Sequence, residues 1–188
     1  MKIITLLGSP RKNGNTRQIT LWMEEELTNL GHNVTSIPLA EQTINGCLAC
    51  GECKKEPDKI GCILNDNTIT ILKKLVESDL VIFASPLYFW GVTAQMKAFI
   101  DRTYSLYVNY HQPDHSSLVE GQRQALLITG GGGYENNAEA TFTAFRRLQK
   151  PHKAINAGEL FIGSCSTPEN LPAYTQEKAR TFARKITG

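Results

Sequence analysis

The run Leu80-Val81-Ile82-Phe83-Ala84 constrains this chain more than any other segment. A strand with one wet face alternates apolar and polar residues; five apolar residues in a row mean burial on both faces. That places the segment in a parallel sheet covered by helices. The run is far short of the ~20 residues a spanning helix needs. The other short apolar run, Ile3 to Leu7, is too brief for a secretory leader and leads into the Gly8-Ser9-Pro10 turn. The cytoplasm is the expected compartment.

Other segments fall around this strand in alternation. Lys2–Leu7 and Asn33–Pro38 read as strands, separated by a helix whose apolar positions Ile19, Trp22 or Met23, Leu27 and Leu30 recur at helical spacing. Asn15 and Thr16 are suited to cap that helix, and Gly31 to end it. Further helices are expected at 68–76, 92–107, 138–149 and 173–186, and further strands at 79–84, 122–129 and 154–162. Five strands alternating with five helices predict an α/β doubly wound parallel sheet, and the short length favours the order 2-1-3-4-5. The 188 residues fit a single domain, with a cysteine-rich loop insertion at about 39–67 that shows no regular period.

Twenty basic residues against eighteen acidic ones leave a net charge of +2. Basic pairs such as Lys73-Lys74 and Arg146-Arg147 are scattered, so neither nucleic acid nor a membrane surface is an expected partner.

In a sheet of this kind ligands bind outside the carboxyl ends of the strands. Three loops there are unusual. Gly8-Ser9-Pro10-Arg11-Lys12-Asn13-Gly14-Asn15-Thr16 joins a strand to a helix N-terminus with the glycines, hydroxyls and arginine of a phosphate nest. Five residues separate Gly8 from Gly14 and Asn15 replaces the lysine, so it is not a P-loop. Ser85-Pro86-Leu87-Tyr88-Phe89-Trp90-Gly91 offers an aromatic wall for a ring system or for a second subunit. Thr129-Gly130-Gly131-Gly132-Gly133-Tyr134 lets backbone approach a ligand closely. Together they describe a mononucleotide site with the phosphate in the first loop and the ring between the other two.

Four of the five cysteines lie within sixteen positions, as Cys47-x2-Cys50-x2-Cys53-x8-Cys62. A [4Fe-4S] cluster on Cys47, Cys50, Cys53 and Cys62, a set of redox-active thiols, and zinc are the three readings. Lys54 and Lys55 would lower the thiol pKa values. Cys165 reads as a buried bystander, and His32 and His152 as turn residues. Pro113 interrupts the His111–His115 pair, which reads as surface loop rather than metal site. No Ser–His–Asp order or H-E-x-x-H helix is present.

GSPRKNGNT, SPLYFWG and TGGGGY resemble the flavodoxin-like NAD(P)H-dependent FMN reductases. With NGCLACGEC the chain resembles their iron–sulfur flavoprotein branch. The resemblance implies FMN, with Ser9, Arg11, Asn15 and Thr16 on the phosphate and Asn13 beside them. Pro86, Leu87, Tyr88 and Phe89 would line the isoalloxazine with Gly91, and Thr129, Gly130, Gly131 and Gly132 would close its other edge. It implies electrons from NAD(P)H passed to a flavin, quinone or other small acceptor, no catalytic acid or base, and a homodimer or homotetramer. The alternative it allows is an electron carrier between a cluster, FMN and a ferredoxin-type donor.

Overall fold

The computed structural model of the protein describes residues 1–56 and 58–188. Strands β1 (Lys2–Leu7), β2 (Asn33–Pro38) and β3 (Leu80–Pro86) are joined through helices α1 (Asn15–Asn29) and α2 (Thr68–Val76). Helix α3 (Ala94–Arg102) then leads to a two-residue ribbon, β4 (Tyr107–Val108) with β5 (Ser116–Ser117). Strand β6 (Arg123–Thr129), helix α4 (Glu139–His152), strand β7 (Ile155–Ile162) and helix α5 (Tyr174–Thr187) complete the order. The five-stranded sheet is parallel and runs β2-β1-β3-β6-β7. Leaving out the β4–β5 ribbon, which the sequence reading did not foresee, this is the expected 2-1-3-4-5.

Strand β3 explains its own composition. Val81 and Phe83 pack into the core beneath α2, α3 and α4, whereas Leu80, Ile82 and Ala84 pack beneath α1 and α5. All five are at most 1% exposed, so each face of the sheet has its own helical cover. No helix is long and apolar enough to cross a membrane.

Three boundaries differ from expectation. Gly14 takes the N-cap of α1 with no side-chain cap, and Asn15 opens the helix instead of capping it. Helix α3 stops at Arg102: the Thr103 hydroxyl donates to the Ile100 carbonyl, one 3-10 turn follows, and Tyr107 pairs with Ser117. Helix α4 runs three residues past Gln149, because Pro151 in its last turn is tolerated before Lys153 turns left-handed.

The loop from Leu39 to Asn67 carries two 3-10 turns, Leu39–Glu41 and Glu52–Lys54. Its neck is closed by polar bonds as well as by Ile44 packing against the core. Thr43 and Asn67 bond through N–H to Oδ1 at 2.8 Å and N–H to carbonyl at 3.0 Å. Asp66 accepts from the Asn45 amide and, at 2.8 Å, from the Arg102 guanidinium; Arg102 also donates to the Asn45 carbonyl. The two charged side chains are 0% and 2% exposed. Further out, the Lys54 ammonium donates to the carbonyls of Tyr104 and Tyr107 and lies 4.4 Å from the Tyr104 ring centroid. The loop is thus fastened to the C-terminal end of α3 at both neck and tip.

Candidate functional site

The ends of β1, β3 and β6 meet as the topology requires. Thr93, the N-cap of α3, donates to the Gly8 carbonyl at 2.8 Å, and a Cβ on Gly8 would stand 2.9 Å from the Thr93 hydroxyl. Only glycine lets the first loop pass so close to α3. The Thr16 and Thr129 hydroxyls bond at 2.7 Å in the interior, locking the first loop to the glycine loop. Leu87 N–H donates to the Thr129 carbonyl, which ties the aromatic loop to the same point.

These contacts frame a cleft of about 130 Å³. Ser9, Arg11, Asn15 and Thr16 line one end, and Pro86, Leu87, Tyr88, Thr129, Gly130 and Gly131 line the rest. Ser9 Oγ accepts from the Arg11 amide and holds the turn, and the cleft opens at the N-terminus of α1. Arg11 is exposed and has no carboxylate partner among the described residues. Asn15 donates through Nδ2 to the Ser166 carbonyl, while its buried Oδ1 has no partner. A buried acceptor of that kind is rare in a finished core; it fits a ligand bearing a hydroxyl. The donor set suits a phosphate at one end and a polyol chain beyond it, which is the chemistry of FMN.

Four expected residues stand outside the cleft wall. Asn13 is an exposed turn residue, Gly132 lies beyond the rim, and Phe89 and Gly91 face a second cavity between α3 and α4. Gly130 N–H donates to the Ile162 carbonyl, so it is not free to face a ring edge.

The loop after β7 is a contributor the sequence reading missed. Cys165 and Ser166 line the cleft, and Cys165 N–H donates to the Gly130 carbonyl at 2.9 Å. Cys165 is therefore half-buried wall, not a bystander. Gly163 allows this: a Cβ there would lie 2.4 Å from the Gly132 carbonyl. The Gly163-Ser164 pair after a strand was the available signal.

The cysteine loop does not form the expected ligand set. Cys47 and Cys50 are exposed, Cys53 and Cys62 half-buried, and no three Cys, His, Asp or Glu among the described residues converge on a metal position. A four-thiolate group does not fit this arrangement. Burial pushes the Cys53 thiol up; the Lys54 ammonium works to lower it, as expected, but is outweighed. Burial by itself works to raise the Asp66 pKa. The bond from Arg102 and those from Asn45 and Thr68 more than reverse it, holding the carboxyl well below its usual range.

Two of the four histidines, His115 and His152, are held in structural contacts. Both His115 ring nitrogens face carbonyls, of Val108 and Pro151. His152 is not a turn residue: it lies in α4, fully buried between Gln124 and Thr103.

Comparison with known proteins gives the family and the fold. An iron-sulfur flavoprotein of Archaeoglobus fulgidus is 41% identical over 102 residues, covering 54% of this chain and 45% of that protein. Another, from Methanosarcina thermophila, is 32% identical over 159 residues, covering 85% and 78%. The chain spans about half the length of the first of these. The fold matches a solved FMN-dependent NADH-azoreductase from Bacillus anthracis in complex with FMN, with a TM-score of 0.75, full coverage of both chains and 11% identity. It also matches an NAD(P)H:quinone oxidoreductase from Methanothermobacter marburgensis, with a TM-score of 0.72, 17% identity, and coverage of 100% and 98%. The family model described as NADPH-dependent FMN reductase matches residues 1–185. The chain belongs to the NADPH-dependent FMN reductase family.

Proposed function

We propose that the protein is an FMN-dependent oxidoreductase that takes electrons from NAD(P)H and passes them to a small acceptor such as a flavin or a quinone. The observation that carries this reading is the cleft in which Ser9, Arg11, Asn15 and Thr16 meet Leu87, Tyr88 and Gly131.

FMN bound there supplies the two-electron chemistry, so the chain needs no nucleophile or general base. Arg11, the Ser9 hydroxyl and the N-terminus of α1 bind and neutralise the phosphate. Asn15, whose Oδ1 has no partner in the fold, would accept from the polyol chain. The enclosed volume suits that phosphate end, and Leu87 and Tyr88 would hold the ring. Gly131 brings backbone against the ring edge. Tyr88 is 42% exposed, so the ring it would hold lies at the protein surface.

The test is anaerobic. Purified protein is titrated with FMN and with riboflavin, then mixed with NADPH or NADH while flavin absorbance is followed. Tighter binding of FMN than riboflavin, with the preference lost in Arg11→Ala, supports the reading. Removing a charge-assisted bond should cost about 1.5–3 kcal/mol. Equal affinity for both ligands, or no bleaching by either nicotinamide, overturns it.

The names of the iron–sulfur relatives favour a second reading, an electron carrier using cluster and FMN with a ferredoxin-type donor. It requires the cysteine loop to rearrange. Iron and acid-labile sulfide per flavin, measured on anaerobically purified protein and on Cys50→Ser, decide it.

A further inference from the structure

The glycine loop after β6 is held so that its donors and acceptors are sorted. Three of its carbonyls are taken up by the fold. Gly130 accepts from the Cys165 N–H at 2.9 Å, Gly132 from the Ser164 N–H at 3.2 Å, and Gly133 from Asn137 Nδ2 at 2.7 Å. The N–H groups of Gly131, Gly132 and Gly133 have no acceptor among the described residues. Gly131 belongs to the cleft wall. A loop that turns carbonyls into the fold and leaves successive N–H groups free favours negative charge in front of it.

The two ends of the loop are fixed differently. Backbone of the β7 loop holds Gly130 and Gly132. At the outer end, Asn137 is the only side chain among the described residues that bonds a carbonyl of the loop. Its amide lies close beneath: a Cβ on Gly132 would stand 3.0 Å from Asn137 Nδ2. Asn137 is half-buried and is itself placed by Glu139, in the first turn of α4. The Glu139 carboxylate accepts from the Asn136 N–H at 2.5 Å and from the Asn137 N–H at 2.8 Å. Asn136 holds a φ of 55°, the left-handed turn that asparagine enters more readily than most residues. A helix N-terminus also favours a carboxylate at that position. Glu139 thus fixes Asn137, and Asn137 fixes Gly133.

We propose that Asn137 is a positioning residue for the flavin: by holding the Gly133 carbonyl it keeps the free N–H groups of the loop towards the ring, and so favours the reduced ring over the oxidised one. This rests on the flavin reading. A hydride brings two electrons and one proton, so the ring that accepts it gains one negative charge. N–H groups held beside the ring stabilise that charge, and the oxidised ring has no such charge to offer them.

The measurement is the reduction potential of bound FMN, by anaerobic spectroelectrochemistry on the FMN-loaded chain, with Asn137→Ala and Asn137→Leu beside the native protein. Neither substitution alters the net charge, and each removes the donor to Gly133. The reduced ring should lose about tenfold in affinity relative to the oxidised ring, the lower range of a hydrogen bond to a charged group. For a two-electron couple that moves the potential about 30 mV more negative. Affinity for oxidised FMN, and its preference over riboflavin, should stay within about twofold, because the phosphate end is untouched. Gly133 is exposed, so water replaces the lost bond and the ligand-free variants should unfold near the native midpoint. A native potential in both variants overturns the proposal. An equal loss of affinity for oxidised and reduced FMN also overturns it, because Asn137 is then a structural residue only. A native chain that binds no FMN overturns the flavin reading and this one with it, whereas FMN binding with unmoved potentials overturns this one alone.

Discussion

Thr16 and Thr129 stand 113 positions apart in the chain, yet their hydroxyls meet at 2.7 Å in the interior beneath the cleft. Each is the other's side-chain partner, and each comes from a loop that the cleft needs. The pair therefore sets the spacing between the first loop and the glycine loop. Replacing Thr129 with valine leaves a buried hydroxyl unpaired and should cost about 1–3 kcal/mol. FMN affinity should fall with it. Valine at both positions should cost less than the sum of the singles, and a double-mutant cycle in urea unfolding measures that coupling.

The Asp66–Arg102 pair is the corresponding lock on the cysteine loop. Both side chains are sealed from water, so Arg102→Met strands a buried carboxylate and should cost about 3–5 kcal/mol. Proteolysis within 43–67 should accelerate more than cleavage elsewhere, since the Asn45 carbonyl loses its donor as well. The carboxyl's pKa is depressed in the fold, so its contribution is present above about pH 4 and is lost as pH falls below it. Unaltered protease sensitivity in the variant would show that the Lys54 tether holds the loop by itself.

How much of this was legible in the sequence follows from how each feature is encoded. The apolar run at 80–84 and the helical spacing of Ile19, Met23 and Leu27 report burial directly, so sheet order and helix placement were readable. The first loop was readable because glycines, hydroxyls and a helix start are adjacent. Gly163 and Cys165 were not, since their role depends on the β7 loop folding back over Gly130 and Gly132, a contact across strands. Asp66 and Arg102 carry no signal in the sequence, and Lys54 stood out only for its place beside the cysteines; only tertiary structure puts them in the interior or against carbonyls. Tyr107 carried helical spacing, but ribbon pairing with Ser117 overrode it.

His152 gives the protein an acid limit. Gln124 Nε2 lies 3.1 Å from its Nδ1, and its Nε2 faces the Thr103 hydroxyl, which itself donates to Ile100. That surrounds a neutral ring protonated on Nε2. Burial pushes the pKa down to about 4. An unfolded chain takes up a proton near pH 6.5 that the fold refuses, so stability is full above that value and declines towards pH 4. The loss should approach about 3 kcal/mol by the lower end. Urea midpoints at pH 7.5 and pH 5 should differ in the native protein and differ less in His152→Gln, whose amide does not titrate across this range. An equal slope in both would assign the acid sensitivity to other groups.

Gly163 and Gly131 separate a structural glycine from a ligand-facing one. A Cβ at Gly163 would collide with the Gly132 carbonyl at 2.4 Å and with the Phe161 ring at 2.8 Å. Gly163→Ala must therefore shift backbone, and should lower thermal stability and loosen the cleft together. At Gly131 the nearest atom to an added Cβ is the Cys165 carbonyl, at 4.0 Å, so the ligand-free fold has room for alanine. Its φ is not left-handed, and no backbone strain is expected. Gly131→Ala should leave the unfolding midpoint within about 0.5 kcal/mol of native, as for a substitution that disturbs no packing. Its FMN affinity should nevertheless fall, because the methyl group occupies the face on which a ring edge rests. Calorimetry without ligand and a flavin titration on the same preparations measure the two effects. Native FMN affinity in Gly131→Ala would remove the glycine loop from the site, leaving the phosphate end of the cleft to Ser9, Arg11 and Asn15.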